Sequence, residues 1–240
     1  MAKLRPYCLS IAGFDPSGGA GIVADCKTFE QHKTIGLSVQ TANTFQTENH
    51  FLKADWIDEK SIIEQMDLLL KRYPVTYFKI GLIESETVLI KILTKIKIHV
   101  ANPVIIWDPI LSASAGGNWN TERFQKVVSS DILKGLIITP NLNEFDSLGL
   151  LENIQSSTIY LKGGHAVQKG KDLLYHQGKT IVFNSKIITD LKKHGTGCIF
   201  SSALLSNLAR ENNLQKSCLK AKRYIEKRIV SNESLLSYHK

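Results

Sequence analysis

The chain has 240 residues, enough for one large α/β domain or two small ones and for a substantial buried core. Thirty basic residues against 22 acidic ones leave a net charge of +8, which favours anionic ligands such as nucleotides. No arginine-rich arm or basic–aromatic repeat accompanies that charge, so nucleic acid is not the expected partner; no apolar run approaches the ~18 residues that span a bilayer, so neither is a membrane.

Tyr7–Ala12 reads as a buried strand ended by Gly13. The turn-rich loop Asp15-Pro16-Ser17-Gly18-Gly19-Ala20-Gly21 follows, then a helix from about Ala20 to Lys33. Residues 37–45 are β-rich, 58–71 carry helical spacing, Val75–Ile80 is a strand after Pro74, and 85–97 return to helix. Val104-Ile105-Ile106-Trp107 is a continuous apolar run, as in a strand buried on both faces, and it ends on Asp108. A helix is expected over 121–133, a strand at Leu136–Ile138 and a short helix near Leu142–Leu148. A strand at Thr158–Lys162 and hairpins within 171–189 come next. Ile199, Phe200, Ala203, Leu204 and Leu208 fall on one face of a helix that starts at the glycines, and a last helix occupies about 213–236.

Strands alternating with helices argue for a parallel sheet covered on both faces, and no composition shift marks a second domain, so residues 1–240 read as one domain. In that architecture ligands bind beyond the C-terminal ends of the strands. Asp108, Asn141 and Lys162 all fall at such ends. The four cysteines, at 8, 26, 198 and 218, are too far apart for a zinc knuckle or redox pair. Met1–Tyr7 has no signal-peptide character, so a reducing cytoplasm is expected.

His194-Gly195-Thr196-Gly197-Cys198 feeds a helix N-terminus, where unpaired N–H groups and the helix dipole suit an anion, and where the same field would favour a Cys198 thiolate. A plain helix start with a buried thiol is the competing reading. Gly19-Ala20-Gly21-Ile22-Val23-Ala24 matches the G-x-G-x-x-A dinucleotide fingerprint, with Glu48 as its ribose acid, although it begins well past the strand end. Asp25 could bind a polar ligand edge or only complement the helix dipole. The Gln46 amide could pair with an aminopyrimidine. Asp108, Asn141 and Glu144 supply hard oxygens suited to Mg²⁺, yet Asn141 and Glu144 also have capping-box spacing. Lys162 before Gly163-Gly164 could reach a phosphate or stand solvated. Lys216, Lys220, Lys222, Arg223, Lys227 and Arg228 make the last helix basic, read as a solvated face.

Together these segments resemble the hydroxymethylpyrimidine/phosphomethylpyrimidine kinases of thiamine biosynthesis, in the ribokinase-like superfamily. The resemblance is carried by Ile11–Ile22 with Asp25 and Lys27-Thr28-Phe29, by Lys79-Ile80-Gly81-Leu82, and by Asp108-Pro109-Ile110. It continues through Thr139–Glu144, Lys162-Gly163-Gly164-His165 and His194–Cys198, in family order along nearly the whole chain. It implies a three-layer α-β-α fold with a mostly parallel central sheet, and an ATP- and Mg²⁺-dependent kinase acting on a pyrimidine alcohol, as a homodimer. Gly13, Asp25 and Gln46 would contact the pyrimidine, with Leu82 and Ile110 lining its pocket. Asp108, Asn141 and Glu144 would organise Mg²⁺ and phosphates, and Lys162 would meet the nucleotide. Gly195, Thr196 and Gly197 would form the anion hole, with Cys198 at the hydroxymethyl group as candidate base. Pyridoxal kinase activity and a non-catalytic pyrimidine-binding relative are the alternatives. Three departures stand out: Ser114-Ala115-Gly116 where Lys-Ser-Gly is common, a 145–157 segment too short for the usual extra helix, and Lys193 where a threonine usually precedes His194.

Overall fold

The computed structural model describes residues 4–113, 117–118, 124, 133–163 and 170–239. Chain order begins β1 (Tyr7–Phe14), α1 (Gly21–Gln31), β2 (Ile35–Gln46), β3 (Phe51–Trp56), α2 (Glu59–Arg72), β4 (Tyr77–Ile80) and α3 (Glu86–His99). It continues with β5 (Val104–Trp107), the short pair β6 (Ser112–Ala113) and β7 (Gly117–Asn118), β8 (Leu136–Ile138), α4 (Leu142–Ser147) and β9 (Thr158–Leu161). The hairpin β10 (Lys171–His176) and β11 (Lys179–Asn184) precedes α5 (Thr196–Ala209) and α6 (Leu214–Ile229).

Among the described residues nine strands form one sheet in the order β11-β10-β9-β8-β5-β4-β1-β2-β3. From β9 to β2 every neighbouring pair is parallel, and antiparallel strands close both edges. The period of two along each strand sorts side chains between two cores. Leu9, Ile11, Phe78, Ile80, Ile105 and Trp107 pack on one face with Ile62 and Met66 of α2 and Leu89 and Ile92 of α3. Cys8, Ile106 and Tyr160 pack on the other with Phe29 of α1, Phe200 and Leu204 of α5, and Ala221 of α6. The result is the three-layer α-β-α arrangement with a mostly parallel sheet.

Most expected elements are present, with shifted ends. β1 runs one residue beyond Gly13. β3 was not expected: its six residues carry Lys53 and Asp55 in mid-strand, which suit an exposed edge strand but hide the apolar signal. α6 stops at Ile229, not near 236, because the Asn232 and Ser234 side chains bond locally to Leu236 and compete with helix continuation. A 3₁₀ turn at Leu150–Asn153 fills the short 145–157 segment. The helix expected over 121–133 lies, apart from Phe124 and Leu133, outside the described residues, as do Ser114-Ala115-Gly116 and Gly164-His165. Among the described residues no helix is long and apolar enough to cross a membrane.

Candidate active site

Strand parity decides which polar residues meet. Ser10 of β1 and Lys79 of β4 are cross-strand neighbours, and both face α1 and α5. Asp108, one step past β5, keeps the parity of Ile106 and points to the same layer. Its Oδ1 accepts from Lys162 Nζ at 2.8 Å and Thr139 Oγ1 at 3.2 Å, and its Oδ2 accepts from Ser201 Oγ of α5 at 3.2 Å. Burial opposes its charge, but Lys162 and then Lys79 outweigh burial and hold Asp108 below the usual carboxylate range.

Lys162 is also 4.0 Å from Glu144 Oε2. Glu144 does form the capping box with Asn141: Asn141 N donates to its carboxylate at 2.8 Å, and Glu144 N donates to Asn141 Oδ1 at 2.9 Å. The cap therefore places an acid beside the lysine; the two readings of Asn141 and Glu144 describe one arrangement. Burial pushes the Glu144 carboxyl up to about 7; Lys162 opposes the rise and Asp108 adds to it. Two neighbouring carboxyl groups share one lysine and present hard oxygens to the same space. Among the described residues no group of three or more His, Cys, Asp or Glu is placed to hold a metal ion. The pair still fits Mg²⁺, which takes one or two carboxylates and completes its shell with water and phosphate.

The N-terminal turn of α5 closes this site. Gly195, the N-cap, has φ +72° and carries no side chain to cap the helix. The first intrahelical bond is Ile199 N to Gly195 O, which leaves the N–H groups of Thr196, Gly197 and Cys198 without intrahelical acceptors. A Cβ on Gly197 would lie 3.0 Å from Lys162 Nζ and 3.8 Å from Asp108 Oδ2. A Cβ on Gly195 would fall 1.9 Å from Gly19 O, so the two glycine turns touch backbone to backbone. Cys198 departs from expectation. Burial pushes its thiol up to about 11; Lys79 opposes this and the carboxylates of Asp25 and Asp108 reinforce it. Desolvation exceeds the helix-end field here and favours the neutral thiol.

The first glycine turn is built on Asp15, which accepts from Ser17 N, Ser17 Oγ and Ala20 N at 2.9, 3.0 and 2.9 Å and lies 2.8 Å from His194 Nε2. Gly21, with φ +60°, leaves no room for a Cβ beside Gly13 O. The glycines at 19 and 21 thus serve close packing against Gly195 and Gly13, and Glu48 sits in the β2–β3 turn; the dinucleotide reading of 19–24 falls. Gly13 is packed on Leu82, whose side chain would lie 2.9 Å from a Cβ there. Ile110 follows Asp108 by two residues and is half-buried. Gln46 Nε2 donates to Thr44 Oγ1 at 2.9 Å, which in turn donates to Phe14 O, so Gln46 is tied to the same strand ends.

Asp25 is placed differently from the expectation of a ligand contact. It is fully buried, and its oxygens accept from Lys79 Nζ at 2.8 and 2.9 Å, Ser10 Oγ at 2.6 Å and Ser202 Oγ at 2.7 Å. It stands behind the site, locking α1 and α5 to β1 and β4. The basic face of α6 is also only partly solvated. Lys216, Lys220 and Lys227 are exposed, but Lys222 is buried and donates to Asp172 at 2.7 Å. Arg223 pairs with Glu226, and the Arg228 guanidinium lies over the Tyr224 ring. Asp172 also accepts from Gly163 N at 2.8 Å and so ties the residue after Lys162 to β10. Sequence reasoning gave no role to Lys79, Asp172, His194 or the serines at 10, 201 and 202. A lysine inside the apolar strand Tyr77–Ile80 was the available signal for the first of these.

The α-β-α sandwich with its polar cluster at the parallel strand ends is the architecture of the ribokinase-like kinases among its structural neighbours. A Bacillus subtilis pyridoxal kinase in complex with ADP shares the fold, at a TM-score of 0.81 and 24% identity over 95% of this chain and 93% of that one. The sequence profile of the phosphomethylpyrimidine kinases matches residues 15–240, and the chain belongs to that family. It is similar to a hydroxymethylpyrimidine/phosphomethylpyrimidine kinase of Aquifex aeolicus, 29% identical over 95% of each chain. It is also similar to the phosphomethylpyrimidine kinase structure from Clostridium difficile 630, with a TM-score of 0.78 and 28% identity over 94% of this chain and all of that one.

Proposed function

We propose that the chain transfers the γ-phosphoryl group of ATP to the hydroxymethyl oxygen of 4-amino-5-hydroxymethyl-2-methylpyrimidine, and then to the resulting monophosphate, in thiamine biosynthesis. The observation that carries this reading is the contact of the free amide turn at 196–198 with Lys162 and Asp108. Phosphoryl transfer asks for positioning and for stabilisation of spread negative charge more than for covalent help. The N–H groups of Thr196, Gly197 and Cys198 and the Lys162 ammonium supply oriented positive charge for the transferring group. Asp108 and Glu144 would hold Mg²⁺, which neutralises phosphate charge when bound. The alcohol oxygen bonds to the γ-phosphorus, the bond to the β–γ bridging oxygen breaks, and the hydroxyl proton is released. Gly13, Leu82, Ile110 and Gln46 would hold the flat ring beside the first glycine turn. Cys198, as a neutral thiol, would sit beside the alcohol and orient it.

Pyridoxal is the competing substrate, since it too is a flat heteroaromatic alcohol. A coupled ATPase assay with each alcohol in Mg²⁺ decides: kcat/KM favouring pyridoxal tenfold or more would overturn the assignment. Ligand binding without ATP turnover would support the non-catalytic alternative. A homodimer remains the expectation from the family resemblance, and sedimentation of the purified chain tests it.

A further inference from the structure

After α6 the chain turns back across both glycine turns. Lys193 is buried there, and its ammonium donates to the Asn232 carbonyl at 2.6 Å, to Asn232 Oδ1 at 2.9 Å and to the Ser234 carbonyl. All three acceptors are uncharged, and they match the three N–H bonds of an ammonium. They lie just beyond the C-terminal end of α6, where a cation is favoured. Burial pushes the Lys193 amine down from its usual range, so this seat has a cost.

What the seat holds is the site. Next in sequence, His194 N donates to Leu235 O at 2.9 Å, and His194 Nε2 lies 2.8 Å from Asp15 Oδ2. Side-chain carbons of Leu236 and His194 each lie 2.7 Å from where a Cβ on Gly19 would be, and Gly195 is packed on Gly19 O. The segment 232–236 therefore touches the turn at 15–21 and the turn at 193–195 together. A displacement of this segment moves the free amides of α5 relative to the floor of the ring pocket. We infer that Lys193 is a positioning residue for phosphoryl transfer: it clips the segment after α6 into a brace that sets the spacing of the two glycine turns. This rests on the kinase reading above.

The test compares the parent chain, Lys193→Met, a chain ending at Val230, and the two changes combined. Amide exchange at Ala20, Gly21 and Ile199, whose hydrogen bonds belong to the two turns, is read beside kcat and KM for ATP. Lys193→Met is expected to speed exchange at those amides at least fivefold, with the amides of α2 and α3 unchanged. It should lower kcat about tenfold and move KM for ATP less than twofold. Shortening the chain should do the same, and the combined variant should be no worse than the shorter chain alone. Asn232→Ala, which removes one acceptor, should give a smaller change of the same sign. Unchanged exchange at the three amides, a loss expressed in KM with kcat intact, or full additivity of the two changes would overturn the proposal. If the parent phosphorylates neither alcohol, the activity reading fails by itself, and the exchange measurements still decide the brace.

Discussion

Gly197→Ala separates folding from catalysis at a single atom. Gly197 is the second residue of α5, and its conformation is an ordinary helical one open to alanine. Replacing glycine by alanine within a helix gains up to about 1 kcal/mol from propensity, less in the first turn. The added methyl would lie 3.0 Å from Lys162 Nζ, closer than carbon and nitrogen normally pack. The obstruction is the tip of a flexible side chain, so the fold yields by moving the ammonium a few tenths of an ångström and not by moving backbone. The 2.8 Å bond to Asp108 Oδ1 loosens, and the charge facing the γ-phosphoryl group shifts. A misplacement of about 1 Å in an active site costs on the order of 100-fold, so a shift of a few tenths is expected to cost about 4- to 10-fold in kcat, equal to about 0.8–1.4 kcal/mol of barrier. Thermal melting and the coupled ATPase assay are run side by side. The midpoint should stay or rise while kcat falls. Retained kcat within twofold would refute the placement of Lys162 at the transferring group.

Lys79→Met leaves the buried Asp25 carboxyl without its cation and is expected to cost about 3–5 kcal/mol in urea unfolding; adding Asp25→Asn should recover at least half. Cys198→Ser should lower kcat less than tenfold, because the thiol is protonated to begin with; a loss beyond a hundredfold would return the proton-accepting role to Cys198. Lys162→Met should raise KM for ATP; a defect confined to alcohol binding would contradict the phosphate assignment. Burial, with Arg210, Lys220 and Arg228 nearby, takes His32 down to about 4. Its unfolded value is near 6.5, so the unfolded state binds the extra proton first and stability falls as pH drops from 6.5 through 4. The full effect is at most about 3 kcal/mol, and His239, also lowered to about 4, contributes a parallel slope. His32→Phe keeps a ring against Tyr224 and should remove roughly half of that slope in pH-dependent unfolding. An unchanged slope would show that His32 charges freely in the folded chain.

The parts of the site that sequence made legible are those fixed by local pattern. Apolar runs ending on Asp108, Thr139-Pro140-Asn141 and Lys162 announce parallel strands and their functional ends. Gly195 and Gly197 announce a bare helix start: a Cβ at Gly195 would collide with the Gly19 carbonyl, and one at Gly197 would crowd the Lys162 ammonium. What was hidden depends on which elements cover which. Asp25 reads as a helix acid until Lys79, four elements later, is found beneath it. Lys222 reads as one more solvated lysine until β10 brings Asp172 against α6. The state of the Cys198 thiol follows from its enclosure, which no spacing encodes. Lys193 looked like a departure without a purpose because its three acceptors lie beyond the next two helices.

Asp15 and His194, which join the two glycine turns, are separated by 179 positions along the chain. Closing a loop of that length costs about 5 kcal/mol of chain entropy before any contact within it is made. Nothing local compensates, so the cleft cannot form from a fragment. During synthesis the first turn lacks its His194 partner until α5 has emerged and folded back over the sheet. Enzymatic competence is therefore among the last properties this polypeptide acquires, and recovery of turnover after dilution from denaturant should lag behind recovery of helical signal.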